Sequence, residues 1–106
     1  MSSYLVIGSY TSEGVKGLLK DGGTTRADAV KKAVKGLGGK MQSFHYAFGS
    51  DDVYVIVDLP DNTAAAALGL AVSSSGLVGV KTVVLLSPAE IDEAATRQVG
   101  YTPPGK

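Results

Sequence analysis

The single histidine of the chain, His45, lies among residues of types that move protons. Ser43 and His45 alternate along one predicted strand, and Tyr54 and Asp58 lie on the next. Alternate residues of a strand share a face, so we expect His45 diagonal to Tyr54 and Asp58 on one side of a sheet. A nearby carboxylate orients an imidazole as a general base. His45, Tyr54 and Asp58 are therefore candidate catalytic residues; the alternative is a hydrogen-bonded interface histidine.

A second group of residues has the chemistry of an anion site. Seven of the ten basic side chains fall between positions 16 and 40, where only Asp21 and Asp28 oppose them. The segment 22–26, Gly-Gly-Thr-Thr-Arg, opens a predicted helix, and free amides at a helix start attract anions. It has neither the Walker lysine pattern nor the GxGxxG spacing. The alternatives are a solvated basic helix face and a plain glycine breaker.

Several kinds of chemistry are excluded by composition. Cysteine is absent, which excludes thiol catalysis, disulfides, iron–sulfur clusters and thiolate zinc sites. One histidine excludes a metal site built on two histidines of a single chain. Asp51 and Asp52 are too few carboxylates to hold a cation alone, and the sequence Gly-Ser-Asp-Asp is typical of a turn. We expect neither a metal nor a cofactor.

Hydrophobic periodicity and helix-start signals divide the chain into strands and helices. Apolar, β-branched runs predict strands over 4–10, 41–48, 53–59 and 77–86. Helices are expected over 12–20, from a capping box at Thr25 and Asp28 to Leu37, over 63–74, and from a capping box at Ser87 and Glu90 to about 98. The order is the α+β, ferredoxin-like βαββαβ plan with a C-terminal helix added. Its antiparallel sheet carries the two main helices on one face.

Both faces of this sheet are apolar. The turn at 49–52 predicts three cross-strand pairs on the helix-covered face: Phe48 with Val53, Tyr46 with Val55, and Phe44 with Val57. A sheet with one solvated face alternates apolar and polar residues, which this one does not. The C-terminal helix is short enough to cover only part of the second face. We therefore expect a homodimer of the αβ-barrel type, sheet against sheet, or a larger ring.

Length and charge limit the organisation and the partners. The 106 residues predict one domain over 1–99 with an extended tail over 100–106. The formal net charge of zero disfavours a nucleic-acid binder that relies on an overall basic surface. No apolar run has the length of a signal-peptide core or a bilayer span. We expect a cytoplasmic protein with no membrane and no nucleic-acid partner.

Several segments, in their order and spacing, resemble the GYD-domain family of small bacterial and archaeal proteins over about positions 3–98. They are the segments 4–10, 38–40, 44–49 and 55–61, with Lys20, Arg26 and Asp52 between them. The resemblance implies a ferredoxin-like domain in a dimeric αβ-barrel and no established reaction. It implies ligand-binding positions at Tyr10, Lys20 and Arg26, the last two as an anion clamp, and at Asp52 as an acid that fixes the turn.

The chain departs from the family pattern at two positions. The name-giving Gly-x-Tyr-Asp falls on 49–52, where Asp51 replaces the tyrosine. The family commonly has an aromatic residue where His45 stands, so the resemblance assigns His45 no shared catalytic role. Any reaction at His45 would be particular to this protein.

The basic helix and the shortage of catalytic groups favour a homo-oligomeric module that binds a small anionic metabolite or a protein partner. The His45 cluster favours a second function, a cofactor-independent isomerase or oxygenase with a cavity near His45. A purely structural assembly is the third. The sequence does not decide whether the protein is an enzyme.

Overall fold

The computed structural model describes all 106 residues. Its elements, in chain order, are β1 (Ser2–Tyr10), α1 (Ser12–Asp21), α2 (Gly23–Gly36), β2 (Lys40–Tyr46), β3 (Val53–Leu59), α3 (Asn62–Ser74), β4 (Val78–Leu85) and α4 (Pro88–Thr96). The four strands form one antiparallel sheet in the order β2-β3-β1-β4. The predicted α+β, ferredoxin-like fold is confirmed.

Strand β3 shows how the sequence separates the two faces of the sheet. Val55 and Val57 are buried, whereas Ile56 between them is 37% exposed, because successive side chains of a strand point to opposite faces. The buried face lies against α2 and α3. The core consists of nine buried residues: Tyr4, Val6, Val34, Val53, Val55, Val57, Leu59, Ala65 and Leu68.

The predicted pairing of β2 with β3 is wrong by two residues. Tyr46, not Phe48, pairs with Val53, and Phe44 pairs with Val55. The loop is longer than predicted, since the backbone N–H of Ala47 donates to the carbonyl of Asp52 at 2.8 Å. A shift of two residues preserves the face of each side chain, so Phe44 and Tyr46 stay on the helix side. Phe48 leaves the strand and is fully exposed.

The starts of α2 and α4 are determined differently. Helix α2 begins at Gly23, with Gly22 as its N-cap at φ 86° and no side-chain cap, so the capping box predicted at Thr25 and Asp28 is wrong. Only glycine adopts that backbone conformation easily. Gly22 is also the C-cap of α1, so one helix ends and the next begins at this residue. In α4 the predicted capping box is confirmed, with Ser87 and Glu90 bonding each other's backbone N–H groups at 3.1 and 3.0 Å.

Helix α4 and the tail project from the body of the domain. No residue of α4 is buried, and it does not pack on the sheet. Its apolar residue Ile91 is exposed, and so are Val99 and Tyr101 just beyond its end. The molecule is 57 Å in its longest dimension as a result.

The sheet face opposite the helices is open, with an apolar centre bordered by polar residues such as Lys81 and Asp58. Cross-strand neighbours Leu5, Ile56 and Val83 form one row across it, and Ile7 lies beside Tyr54 in the next. Val83 is 44% exposed. No element of this chain covers these side chains. We call this surface the open face.

Candidate functional site

A small cavity lies between the sheet and helices α2 and α3. Its volume is about 80 Å³, and hydrophobic side chains make up most of its wall. Val55 and Val57 form part of its floor, and Val30 of α2 and Val72 of α3 lie across from them. Arg26 is the single charged residue in the lining. We call it the Arg26 cavity.

Arg26 reaches the cavity from the first turn of α2, because Gly22 and Gly23 end one helix and begin the next without a linker. Its side chain is 37% exposed. The carboxylate of Asp21 is 4.0 Å from its guanidinium, at the limit of an ion pair. Most of the five N–H donors of Arg26 therefore have no protein acceptor and are free for an anionic ligand.

Two tyrosines lie close to Arg26. Tyr10 ends β1 and lines the cavity. The hydroxyl of Tyr46 donates to the carbonyl of Gly23 at 2.9 Å, and its ring lies 3.1 Å from the place where a Cβ at Gly23 would be. Burial, assisted by Tyr10 and opposed by Arg26, raises the pKa of Tyr46 to about 12. Tyr46 thus stays neutral at physiological pH and anchors the start of α2.

The other two predicted ligand-binding residues have different positions. The carboxylate of Asp52 accepts a hydrogen bond from the backbone N–H of Tyr10 at 2.8 Å, so it holds Tyr10 and is not in the cavity lining. Lys20 is exposed on α1 and does not line the cavity. The structure brings Tyr10 and Arg26 together and leaves Lys20 apart from them.

The predicted catalytic residues lie on the open face, on the other side of the sheet. His45 is directly opposite Tyr54, which corrects the predicted diagonal relation. Asp58 accepts from the Ser3 hydroxyl at 2.7 Å and from the Gln42 amide, and these bonds, Ser3 first, lower its pKa. No hydrogen bond joins Asp58 to His45, and His45 lines neither the Arg26 cavity nor two further cavities of about 420 and 310 Å³.

Both carboxylates of the hairpin loop are engaged in fixing the loop to β1. Asp51 accepts from the Ser9 hydroxyl at 2.6 Å and lies 3.5 Å from the amine of Lys81. The Ser9 hydrogen bond, more than Lys81, lowers the pKa of Asp51. No three metal-ligating side chains lie together anywhere in the chain.

Tyr46 and the apolar wall of the cavity were not among the predicted site residues. The sequence places Tyr46 on the helix-covered face but gives no sign that it meets Gly23. The only local signal is the Gly-Gly pair before Arg26, which permits the close approach of the ring.

Comparison with known proteins gives one match. A family model described as the GYD domain matches residues 4–95, which confirms the resemblance seen in the sequence. No curated protein and no solved structure matches. None of the helices is long and apolar enough to span a bilayer.

Proposed function

The chain belongs to the GYD-domain family, and we propose that it is a homo-oligomeric module that binds a small anionic ligand at Arg26. The observation that carries the proposal is Arg26 itself, a cation with unpaired donors in the wall of an apolar cavity. A guanidinium in such a place offers a bidentate, charge-assisted contact to an oxyanion. The Asp21 carboxylate does not line the cavity and lies 4.0 Å from the guanidinium, too far for a hydrogen bond.

The homo-oligomeric part of the proposal rests on the open face. Leu5, Ile56 and Val83 form a continuous apolar row, and a soluble monomer rarely leaves a large patch of this kind in water. A second copy offers the same surface, which suits a two-fold interface of sheet against sheet.

The site is tested by titrating the purified protein with acetate, isovalerate and inorganic phosphate, with binding followed by calorimetry. We expect at least one of these anions to bind the natural protein, and Arg26→Gln to abolish that binding. The matched control is Lys20→Gln, which removes an exposed cation outside the cavity and leaves binding unchanged. Equal binding by the two variants, or no response to any of the three anions, would overturn the proposal.

The alternative function is a cofactor-independent isomerase or oxygenase at His45. The direct pairing of His45 with Tyr54 favours it, because a phenol and an imidazole side by side can exchange a proton. It requires a second copy to enclose a cavity over these two residues. In that case His45→Gln abolishes turnover and leaves the oligomer intact; a closely packed interface over His45 would exclude it.

A further inference from the structure

We infer that the ligand of the Arg26 cavity is a small monocarboxylate with a short branched hydrocarbon body. The inference rests on the proposed function and narrows it to one chemical class. It distinguishes such an acid from phosphorylated metabolites and from larger lipids. Three properties of the cavity carry it: its charge, its lining and its volume.

The charge of the site fits a single negative charge. Arg26 is the one cation in the lining, and Asp21 at 4.0 Å already offsets part of its field. A phosphate monoester carries close to two negative charges at neutral pH and is typically held by several donors or cations. Lys20 does not reach the cavity to supply a second positive charge. One guanidinium matches one carboxylate in charge and in its two-pronged geometry.

The lining fits a hydrocarbon rather than a sugar or a polar chain. Beyond Arg26 and Tyr10, the wall is made of side chains such as Val6, Val30 and Leu68, together with a glycine. The chain has no buried side-chain nitrogen or oxygen without a hydrogen-bond partner. A ligand hydroxyl in this wall would lose its water partners and find no replacement, which costs about 1–3 kcal/mol for each group. An alkyl group makes no hydrogen bonds to water, so its burial carries no such cost.

The volume sets the size of that alkyl group. A single water needs about 10–15 Å³ of such a space, and the cavity offers about 80 Å³. A methyl or methylene group is similar in size to a water, so about four to six carbon atoms fit. This is the size of a branched short-chain acid such as isovalerate. Arg26 and Tyr10 also line a second cavity of about 310 Å³ beside α1, so this size limit applies to a ligand body that lies in the Arg26 cavity itself.

The test compares isovalerate with acetate, isovaleramide and inorganic phosphate by calorimetry. We expect isovalerate to bind at least tenfold more tightly than acetate, because each additional buried carbon adds about 0.8 kcal/mol. Isovaleramide keeps the shape without the charge, and we expect it to bind at least tenfold more weakly. Inorganic phosphate tests the alternative class of anion, and we expect it to bind at least tenfold more weakly as well.

Two cavity variants separate the apolar contact from the charge. Val30→Phe fills the cavity and is expected to weaken isovalerate tenfold or more, and to weaken it more than it weakens acetate, which has no hydrocarbon body to displace. Val72→Ile adds one methylene and is expected to weaken isovalerate binding by a smaller factor. It replaces Val30→Phe in the test if that variant does not fold. If acetate or phosphate binds as tightly as isovalerate, and the binding depends on Arg26, the proposed ligand class is wrong and the proposed anion site at Arg26 stands. No binding by any of these compounds would overturn both.

Discussion

The carboxylate of Asp52 and the backbone N–H of Tyr10 form a 2.8 Å hydrogen bond between the hairpin loop and the end of β1. The same aspartate donates its own N–H to the carbonyl of Gly8 at 2.9 Å. The loop is thereby fixed to the strand that carries Tyr10 into the Arg26 cavity. Asp52 is a positioning residue for this site.

Asp52→Ala removes the acceptor and leaves the partly buried N–H of Tyr10 without a partner. We expect the free energy of unfolding to fall by about 1–3 kcal/mol, as is usual for a lost partner of a buried donor. Asp52→Asn keeps a carbonyl acceptor in the same place and is expected to lose less. Urea denaturation of both variants measures the difference; an alanine variant as stable as the natural protein would contradict this role.

Two glycines in α1 give a matched pair. A Cβ at Gly14 would overlap the carbonyl oxygen of Leu77, whereas a Cβ at Gly17 meets nothing within 4 Å. Gly17→Ala is therefore expected to stabilise the protein by up to about 1 kcal/mol through helix propensity. Gly14→Ala is expected to destabilise it, because α1 must move away from the start of β4. Thermal unfolding of the two variants tests the packing of α1; shifts of the same sign would contradict it.

The raised pKa of Tyr46, about 12 against an ordinary 10.0, makes stability depend on pH in the alkaline range. The unfolded chain ionises this phenol first, so its contribution is complete below pH 10 and is lost as the pH rises toward 12. Absorbance of tyrosinate during an alkaline titration measures the effect. We expect Tyr46→Phe to remove a tyrosine that titrates near pH 12; a curve that loses a tyrosine of ordinary pKa instead would contradict the raised pKa of Tyr46.

Asp58, on the open face, makes stability depend on pH in the acidic range. Its pKa is lowered chiefly by the hydroxyl of Ser3. Its contribution to stability is therefore present above the ordinary carboxyl range and is lost as the pH falls through the lowered pKa. Ser3→Ala is expected to return the pKa of Asp58 toward its usual value, as followed by carboxyl carbon NMR chemical shifts. An unchanged pKa would assign the shift to Gln42 instead.

A charge on the open face tests the proposed assembly. Val83→Asp places a carboxylate at the β4 end of the apolar row, where a second copy would desolvate it without a partner. We expect this variant to elute as a folded monomer in size-exclusion chromatography with light scattering. The control is Leu19→Asp on α1, an equally apolar residue that is 80% exposed away from this face. An identical oligomeric state for both variants would remove the open face from the interface.

The short-range features of the fold were predictable because their causes are local. The alternation of Val55, Ile56 and Val57 fixed the two faces of β3, and the Ser87–Glu90 capping box fixed the start of α4. The pairing of β2 with β3 was not predictable in the same way. It depends on the carboxylates of Asp51 and Asp52 meeting Ser9 and Tyr10, 42 residues away along the chain.

The candidate site was predictable only in part. Arg26 and Tyr10 were identified as ligand-binding positions, and the structure brings both to one cavity. Lys20 was grouped with them, but its position on α1 directs it elsewhere. Tyr46 was missed, because its contact with Gly23 joins residues 23 positions apart that no sequence pattern links.

The sequence by itself determined which elements form, which residues of a strand share a face and that both sheet faces carry apolar side chains, since these follow from periodicity and from capping residues a few positions apart. The tertiary structure decided that the predicted residues divide between the two sides of the sheet. His45 and Tyr54 face outward, and Arg26 and Tyr10 face a cavity, because a sheet one residue thick separates them. Whether side chains distant in sequence share a cavity depends on long-range packing, which local patterns do not encode.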